Sequence, residues 1–208
     1  MDLASAERAI VKMATEPQRP NGDARSPQEV GDASLVARAR SGDREAFGTL
    51  VDRYADQARR VARAVLQDPD DADDAAQDAF LAALVKLDQY DTARPFGPWL
   101  MRIVANAATD RRRRRKVRSA VSLDEGLVAG GARPDALAER AVLLGRLRSA
   151  LAELPERRRV AVVLFDVEGY SHAEIAQVLG IPEGTVRSEV FHARRKLRAL
   201  LADWRDEE

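Results

Sequence analysis

Arg187, His192, Arg194, Arg195, Lys196 and Arg198 crowd one C-terminal stretch, and an uninterrupted run of arginines, 111–115, lies upstream. Guanidinium and ammonium groups donate charge-assisted hydrogen bonds, and the arginine fork matches a phosphate or the edge of a guanine. One basic helix is an ordinary solvated face; two on separate modules suit a chain that grips nucleic acid in two places. The acids are segregated as well. Asp68, Asp70, Asp71, Asp73, Asp74 and Asp78 follow one another with no base between them. Consecutive acids on a helix point in different directions, so they suit the positive end of a helix dipole better than a magnesium site. His172 and His192 lack neighbouring ligands and the chain has no cysteine, so neither a metal nor a disulfide is expected.

Helices must hold these side chains. With 33% charged and 5% aromatic residues, the cores have to be built from Ala, Val, Leu and Ile, and no run alternates as a strand would. The expectation is an all-α protein of two small helical domains joined by a flexible linker. Residues 1–33 mix Pro17, Pro20, Gly22, Pro27 and Gly31 with scattered charge and read as a mostly disordered extension, with residues 3–14 able to form a short helix. Order is expected from about Asp32. Leu35, Val36 and Ala39 make a short helix closed by Gly42. Asp43 caps the next, with Phe47, Leu50, Val51, Tyr54, Ala58, Val61, Ala62 and Val65 at helical spacing, and Asp68-Pro69 stops it. Asp70 is placed to cap a third helix with Ala72, Ala75, Ala76, Ala79, Phe80, Ala83, Leu84 and Leu87 on one face. A loop over 88–94 leads to Pro95, which opens a fourth helix with Phe96, Trp99, Leu100, Ile103, Val104 and Ala107 inward.

These four helices form a domain over 34–116. Residues 117–136, with Gly126, Gly130, Gly131 and Pro134, read as a linker, and a second helical domain covers 137–202 before a tail, 203–208. Leu137, Leu144, Leu147 and Leu151 mark its first helix. Pro155 opens the next, with Val160, Val163, Leu164 and Val167 apolar and Gly169 placed to end it.

The last two helices read as a helix-turn-helix. Ser171 and Glu174 have capping-box spacing, Ile175, Val178 and Leu179 supply an apolar side, Gly180 can turn the chain, and Ile181 plugs the angle. In the second helix Val186, Val190, Ala193, Leu197 and Leu200 face inward. That leaves Thr185, Arg187, Ser188, Glu189, His192, Arg195 and Lys196 outward, with Arg194 on the flank. The N-terminal residues of such a helix meet base edges, and later bases take phosphates. Glu189 is repelled by a phosphate wall unless it accepts from a cytosine amino group.

Together these segments resemble the extracytoplasmic-function (ECF) sigma factors of the bacterial primary sigma family, over about 34–116 and 137–202. ADDAAQDAF (72–80) is similar to that family's A-E-D-L-V-Q-E-T-F. FGPWLMRIVANAATDRRRRR is similar to S-F-x-x-W-L-x-R-I-A-R-N-x-A-x-D followed by arginines, and LPERRRVAVVLFDVEGYSHAEIAQVLGIPEGTVRSEVFHARRKL follows the family almost residue by residue. The resemblance implies a promoter-recognition subunit of core RNA polymerase, not an enzyme, and no cofactor. It implies that Asp73, Asp74, Gln77 and Asp78 dock on clamp helices of the largest polymerase subunit, with a further contact to the flap. Asp88, Gln89, Tyr90 and Arg94, with Asn106, Arg111, Arg112, Arg113 and Arg115, would hold the melted minus-ten element. Thr185, Arg187, Ser188, Glu189, His192, Arg195 and Lys196 would read the minus-thirty-five element as duplex. It also implies an anti-sigma partner. The chain departs from the pattern at Glu189 and His192, where bases are common, at Ala105, where an arginine is common, and in a loop before Pro95 that lacks a glycine-rich run. Trp99, in the apolar stripe, is expected in the core; Tyr90 either stacks on a base or packs.

Two other readings compete. A free-standing helix-turn-helix regulator would need a dimerisation helix or effector pocket, and neither is visible. A recombinase or nuclease would need a nucleophile or a second carboxylate cluster, and neither is present. No stretch approaches the roughly 20 apolar residues of a membrane span, and no apolar signal core stands at the N-terminus, so a cytoplasmic protein without membrane insertion is expected.

Overall fold

Capping chemistry sets where these helices begin and end. The computed structural model describes residues 27–119 and 136–202, and every regular element among them is helical. Helix α1 (Pro27–Arg40) is followed by α2 (Arg44–Leu66), α3 (Pro69–Val85), a 3₁₀ turn (Leu87–Gln89) and α4 (Phe96–Ser119). After the linker come α5 (Ala136–Ala152), α6 (Glu156–Val162) running on into a π-helical turn (Val163–Val167), α7 (His172–Leu179) and α8 (Glu183–Ala202). The expectations for most of the N-terminal extension, the centre of the linker, the Leu137 side chain and the tail lie outside the described residues.

Gly42 (φ +94°) ends α1 in the left-handed region, and Asp43 caps α2 by accepting from Ala46 N at 3.1 Å. Asp43 is held below the usual carboxylate range by that backbone bond and by Arg38. The expected cap of α3 is corrected by two positions. Asp68, not Asp70, accepts from the amides of Asp70 (3.0 Å) and Asp71 (3.1 Å), and Pro69 sits in the first turn, where its missing N–H costs nothing. The onset of order is also earlier than expected. Helix α1 starts at Pro27, and Asp32, only 1% exposed, accepts from the Tyr54 hydroxyl and from Arg53. A buried carboxylate needs such partners.

Helices α1 to α4 pack around Val36, Leu50, Ala58, Val61, Phe96, Leu100, Met101 and Val104, all nearly inaccessible. Helix α3 contributes little but alanine to this core (Ala72, Ala75, Ala76, Ala79 and Ala83), which lets it approach α2 and α4 closely. Leu84 and Leu200 were expected inward and are 47% and 41% exposed. Leu87 fills the inward position beyond α3, and Leu201 in place of Leu200 packs on the cluster of Ala150, Leu154, Val162, Ala193 and Leu197.

The two halves are docked on each other, which the sequence pattern did not show. A single hydrophobic cluster runs from the α2–α4 core through Val160, Val163, Leu164, Ile175 and Val178. Arg159, 5% exposed, donates to the carbonyl of Ala64 and reaches that of Val65 at 3.5 Å, satisfying acceptors left open by the last turn of α2. Burial lowers the Arg159 pKa, although a guanidinium stays charged. The Glu168 carboxylate takes Arg60 Nε at 2.5 Å, Arg60 Nη2 at 2.9 Å and Gln57 Nε2 at 3.1 Å. Tyr170 donates to Gln57 Oε1 at 2.9 Å, and burial pushes its phenol pKa well up. The fit is close at Gly97, where a Cβ would lie 2.6 Å from the Tyr170 hydroxyl and 3.3 Å from the Tyr54 ring.

The helix-turn-helix forms as its sequence predicts. Ser171 and Glu174 make both bonds of the capping box (3.2 and 2.8 Å), and Gly180 turns the chain at φ +64°. His172, first in α7, stacks on Phe165 with centroids 4.4 Å apart, and burial, then the Arg187 charge, lowers its pKa. The folded form therefore resists protonation more than the unfolded chain does, whose histidine titrates near about 6.5. Stability from this site is complete above that pH and declines as pH falls towards the depressed folded value. Urea melts at pH 7.5 and 5.5 should show a lower midpoint at 5.5, and His172→Phe should remove much of the difference; an unchanged difference would put its origin elsewhere.

Candidate nucleic-acid interface

Three surfaces carry the charge blocks. On α8, Val186, Val190, Ala193 and Leu197 are buried, so Arg187, Ser188, Arg195 and Lys196 stand exposed, with Thr185 and His192 half-buried beside them. Arg187 is held by Glu183 at 2.6 Å, an i,i+4 pair that solvent screens and DNA can replace. Lys196 lies 4.0 Å from Glu153. Arg194 is structural, donating to the buried Asp166 and lying over the Phe165 ring at 4.9 Å. Glu189 was expected outward and is instead tied to Arg158 on α6 at 2.9 Å. That bond occupies the carboxylate that would otherwise have to meet a cytosine. Phe191 was missed: it is 62% exposed on this face, against the His192 ring (centroids 5.5 Å). Phe191 directly follows the core Val190, and one helical step of about 100° carries it to the exposed side.

The second surface joins α4 to the loop after α3. Asp88, Gln89, Asp91, Thr92 and Arg94 are exposed, as is Asn106 on α4. Tyr90, the loop's stacking candidate, is corrected to a core residue. It is 4% exposed, edge-on to Phe96 (5.5 Å) and tilted against Trp99 (5.0 Å), with its hydroxyl donating to the Arg94 carbonyl. Trp99 packs in that cluster, as expected. Ala105 is 7% exposed and faces the core, so no phosphate contact is lost at that position.

The arginine run divides around its helix. Arg111 bridges Asp71 (2.7 Å) and Asp74 (2.6 Å), and Arg115 bridges Asp71 (2.9 Å) and Asp68 (3.2 Å). The Arg111 bond, and then Arg115, hold Asp71 below its usual range. Arg112 pairs with Glu156 across the two halves. Arg113 lies 3.6 Å from Asp110 on its own helix and is largely solvated; Arg112, Arg114 and Arg115 are exposed too, although Arg112 and Arg115 are tied to acids on other helices.

The third surface is α3 itself. Asp74, Gln77 and Asp78 are exposed, and Asp73 faces Arg59 at 3.6 Å. Beyond them Leu81, Leu84 and Val85 are 64%, 47% and 81% exposed. Neighbouring exposed apolar side chains rimmed by acids mark a surface that expects a partner. Among the described residues no cluster could hold a metal ion, and no helix is long and apolar enough to cross a membrane.

Two family models match the chain: sigma-70 region 2 over residues 50–118 and sigma-70 region 4 over 144–197. The chain is 41% identical to the ECF RNA polymerase sigma factor SigM of Mycobacterium tuberculosis, over 83% of its own length and 86% of that protein. Among solved structures it resembles CnrH in complex with the cytosolic domain of CnrY (34% identity, TM-score 0.62, 83% of this chain and 98% of that one). It also resembles the sigma factor RpoE in complex with the anti-sigma factor NepR from Bartonella quintana (27% identity, TM-score 0.61, 75% and 96%). Basic recognition helix, arginine-ended α4 and acidic α3 thus fall within the matched regions, and the chain belongs to the ECF sigma factors, the family of non-enzymatic subunits that bind core RNA polymerase and direct it to promoters to begin transcription.

Proposed function

We infer that the three surfaces divide the work of initiation. The observation that carries this reading is the strip on α3, where Leu81, Leu84 and Val85 stay exposed together beside Asp74, Gln77 and Asp78, while elsewhere among the described residues of that half only Val117 is comparably exposed. That strip, with Asp73, docks on clamp helices of the largest polymerase subunit. The outward residues of α8 (Thr185, Arg187, Ser188, Phe191, His192, Arg195 and Lys196) read the minus-thirty-five duplex, and the far end of this half meets the flap. Asp88, Gln89, Arg94 and Asn106, with Arg113, hold the minus-ten strand. Arg111, Arg112 and Arg115 join them only on leaving their acidic partners. Melting then needs no catalysis. Binding unstacked bases more tightly than paired ones shifts the opening equilibrium.

The docked halves cannot perform both readings at once. The two elements lie about 25 base pairs apart, roughly 85 Å at about 3.4 Å per pair, whereas α7 here packs on α4 and Glu168 bonds Arg60. The reading therefore requires the halves to separate on polymerase in the cytoplasm. An anti-sigma factor that covers the polymerase- and DNA-facing surfaces would oppose that step, a view supported by the two related structures solved as complexes.

The test is run-off transcription with core polymerase on a library of randomised promoters. Protein-dependent transcripts should share two elements, and Arg195→Ala with Phe191→Ala should weaken dependence on the upstream one alone. Tight, specific duplex binding by the protein without polymerase, and no transcript with it, would favour a free-standing regulator.

A further inference from the structure

The loop between α3 and α4 contains no glycine, yet it is held in one shape. Its frame is a set of hydrogen bonds that converge on a single side chain. Arg40, the last residue of α1, sends Nε to the Leu87 carbonyl at 3.0 Å and Nη2 to the same oxygen at 2.8 Å. Nη2 also donates to the Tyr90 carbonyl and comes within 3.4 Å of that of Asp88. The guanidinium carbon lies 6.0 Å from the centre of the Tyr90 ring. Arg40 thus caps the carbonyl end of the 3₁₀ turn, doing for it what a C-terminal base does for a helix. At the far side the Tyr90 hydroxyl donates to the Arg94 carbonyl, and Asp91 accepts from Ala93 N at 2.9 Å. Between these struts, Asp88, Gln89, Asp91, Thr92 and Arg94 project into solvent.

We propose that Arg40 is a positioning residue for minus-ten recognition: its hold on three loop carbonyls presets the geometry in which Asp88 and Gln89 meet an unstacked base. The proposal rests on the reading of this loop as part of the minus-ten surface. The physical reason is preorganisation. A loop ordered only on binding would spend interaction energy on its own entropy and accept several bases in several shapes. Clamped during folding, it presents one arrangement of donors and acceptors, so a mismatched base leaves polar groups unpaired. Arginine suits the task because a planar fork with five donors reaches carbonyls that face it from different directions, whereas the three donors of an ammonium radiate from one atom. Arg40 touches no DNA in this account and acts only through the backbone it holds.

The experiment measures transcription by core polymerase with the full-length chain from promoters carrying every base at each minus-ten position. Variants are Arg40→Ala, Arg40→Lys and Tyr90→Phe; the last keeps the aromatic packing and removes the hydroxyl that holds the Arg94 carbonyl. Arg40→Ala should lower the best promoter about tenfold and flatten the base preference by a similar factor at one or two positions. Core affinity and minus-thirty-five preference should not change. Arg40→Lys should restore part of the preference, and Tyr90→Phe should flatten it about threefold. An unchanged minus-ten profile in Arg40→Ala and Tyr90→Phe, alongside an altered profile in Asp88→Ala or Gln89→Ala, would overturn the role of Arg40. If Asp88→Ala and Gln89→Ala also leave the profile intact, the assignment of the loop to minus-ten recognition fails instead. Should Arg40→Ala melt early, Tyr90→Phe at unchanged melting temperature carries the test.

Discussion

Replacing Leu84 and Val85 together by glutamate is expected to cut the affinity for core RNA polymerase by roughly 100-fold, about 3 kcal/mol, with little change in melting temperature. The two halves of this expectation come from one fact. Leu84 and Val85 are 47% and 81% exposed, so folding gains little from them and loses little with them. Binding is different. An apolar side chain that becomes fully covered contributes about 1.5–3 kcal/mol, and a glutamate in its place must shed water without a partner. The surrounding acids, Asp74 and Asp78, contribute mainly to steering and register, because exposed charges are well screened. Alanine at these acids should therefore slow association and flatten its salt dependence, while lowering affinity far less than the apolar pair does. Asp74→Ala also frees Arg111 from one of its bridges. Titration of labelled protein with core enzyme, beside a thermal melt, reads both quantities. A variant that melts normally and binds normally would remove α3 from the polymerase contact, and one that unfolds would show that the strip is part of the core.

The fold was legible where the physics is local. The capping box at Ser171, the left-handed glycines Gly42 and Gly180, and the α2 stripe each follow from a few adjacent residues, and each stands where its chemistry predicts. Apart from the local shift of the α3 cap to Asp68 and the outward turns of Leu84 and Leu200, the misses involve partners distant in sequence. Tyr90 in a polar loop looks like a stacking platform until α4 brings Phe96 and Trp99 beneath it. Glu189 looks like a base reader until α6 brings Arg158 alongside. Asp32 reads as the edge of a polar extension because nothing local announces the Tyr54 hydroxyl. The π-helical turn at Val163–Val167 has no propensity signature, since one extra residue per turn is set by what the turn packs against. The arginine run shows the same limit in charge. Five cations in a row promise an anion surface, but Arg111 and Arg115 already hold Asp68, Asp71 and Asp74. The recognition helix was more readable because its partner side is set by heptad-like spacing within α8 alone.

The docking of the two halves was illegible for that same reason, and it leads to the other large effect. Combining Glu168→Ala with Gly97→Ala should open the free chain and tighten its apparent binding to core polymerase up to about tenfold. The sign rests on where the costs fall. Glu168 is 3% exposed and bonded to Arg60 and Gln57 of the other half, so its loss weakens only the docked state; Arg60, with 31% of its side chain exposed, regains water once the halves part. Gly97→Ala works in the same direction by a different route. It favours helix α4 by up to about 1 kcal/mol while driving a methyl against the Tyr170 hydroxyl. The methyl also comes 3.3 Å from the Tyr54 ring of its own half, so a melt of the variant must accompany the measurement of opening. If, as proposed, polymerase binds the open form, the apparent dissociation constant is the intrinsic one divided by the open fraction, and each 1.4 kcal/mol or so removed from docking raises that fraction roughly tenfold until it saturates. The chain has no cysteine, so Lys86→Cys and Gln177→Cys can carry a dye pair at two exposed sites, one on each half. Energy transfer should be high in the free parent chain, fall when core polymerase is added, and start low in the double variant. Transfer that stays high in the polymerase complex would show that initiation does not require separation. A double variant that opens yet binds core no more tightly would show that docking restrains DNA reading but not assembly.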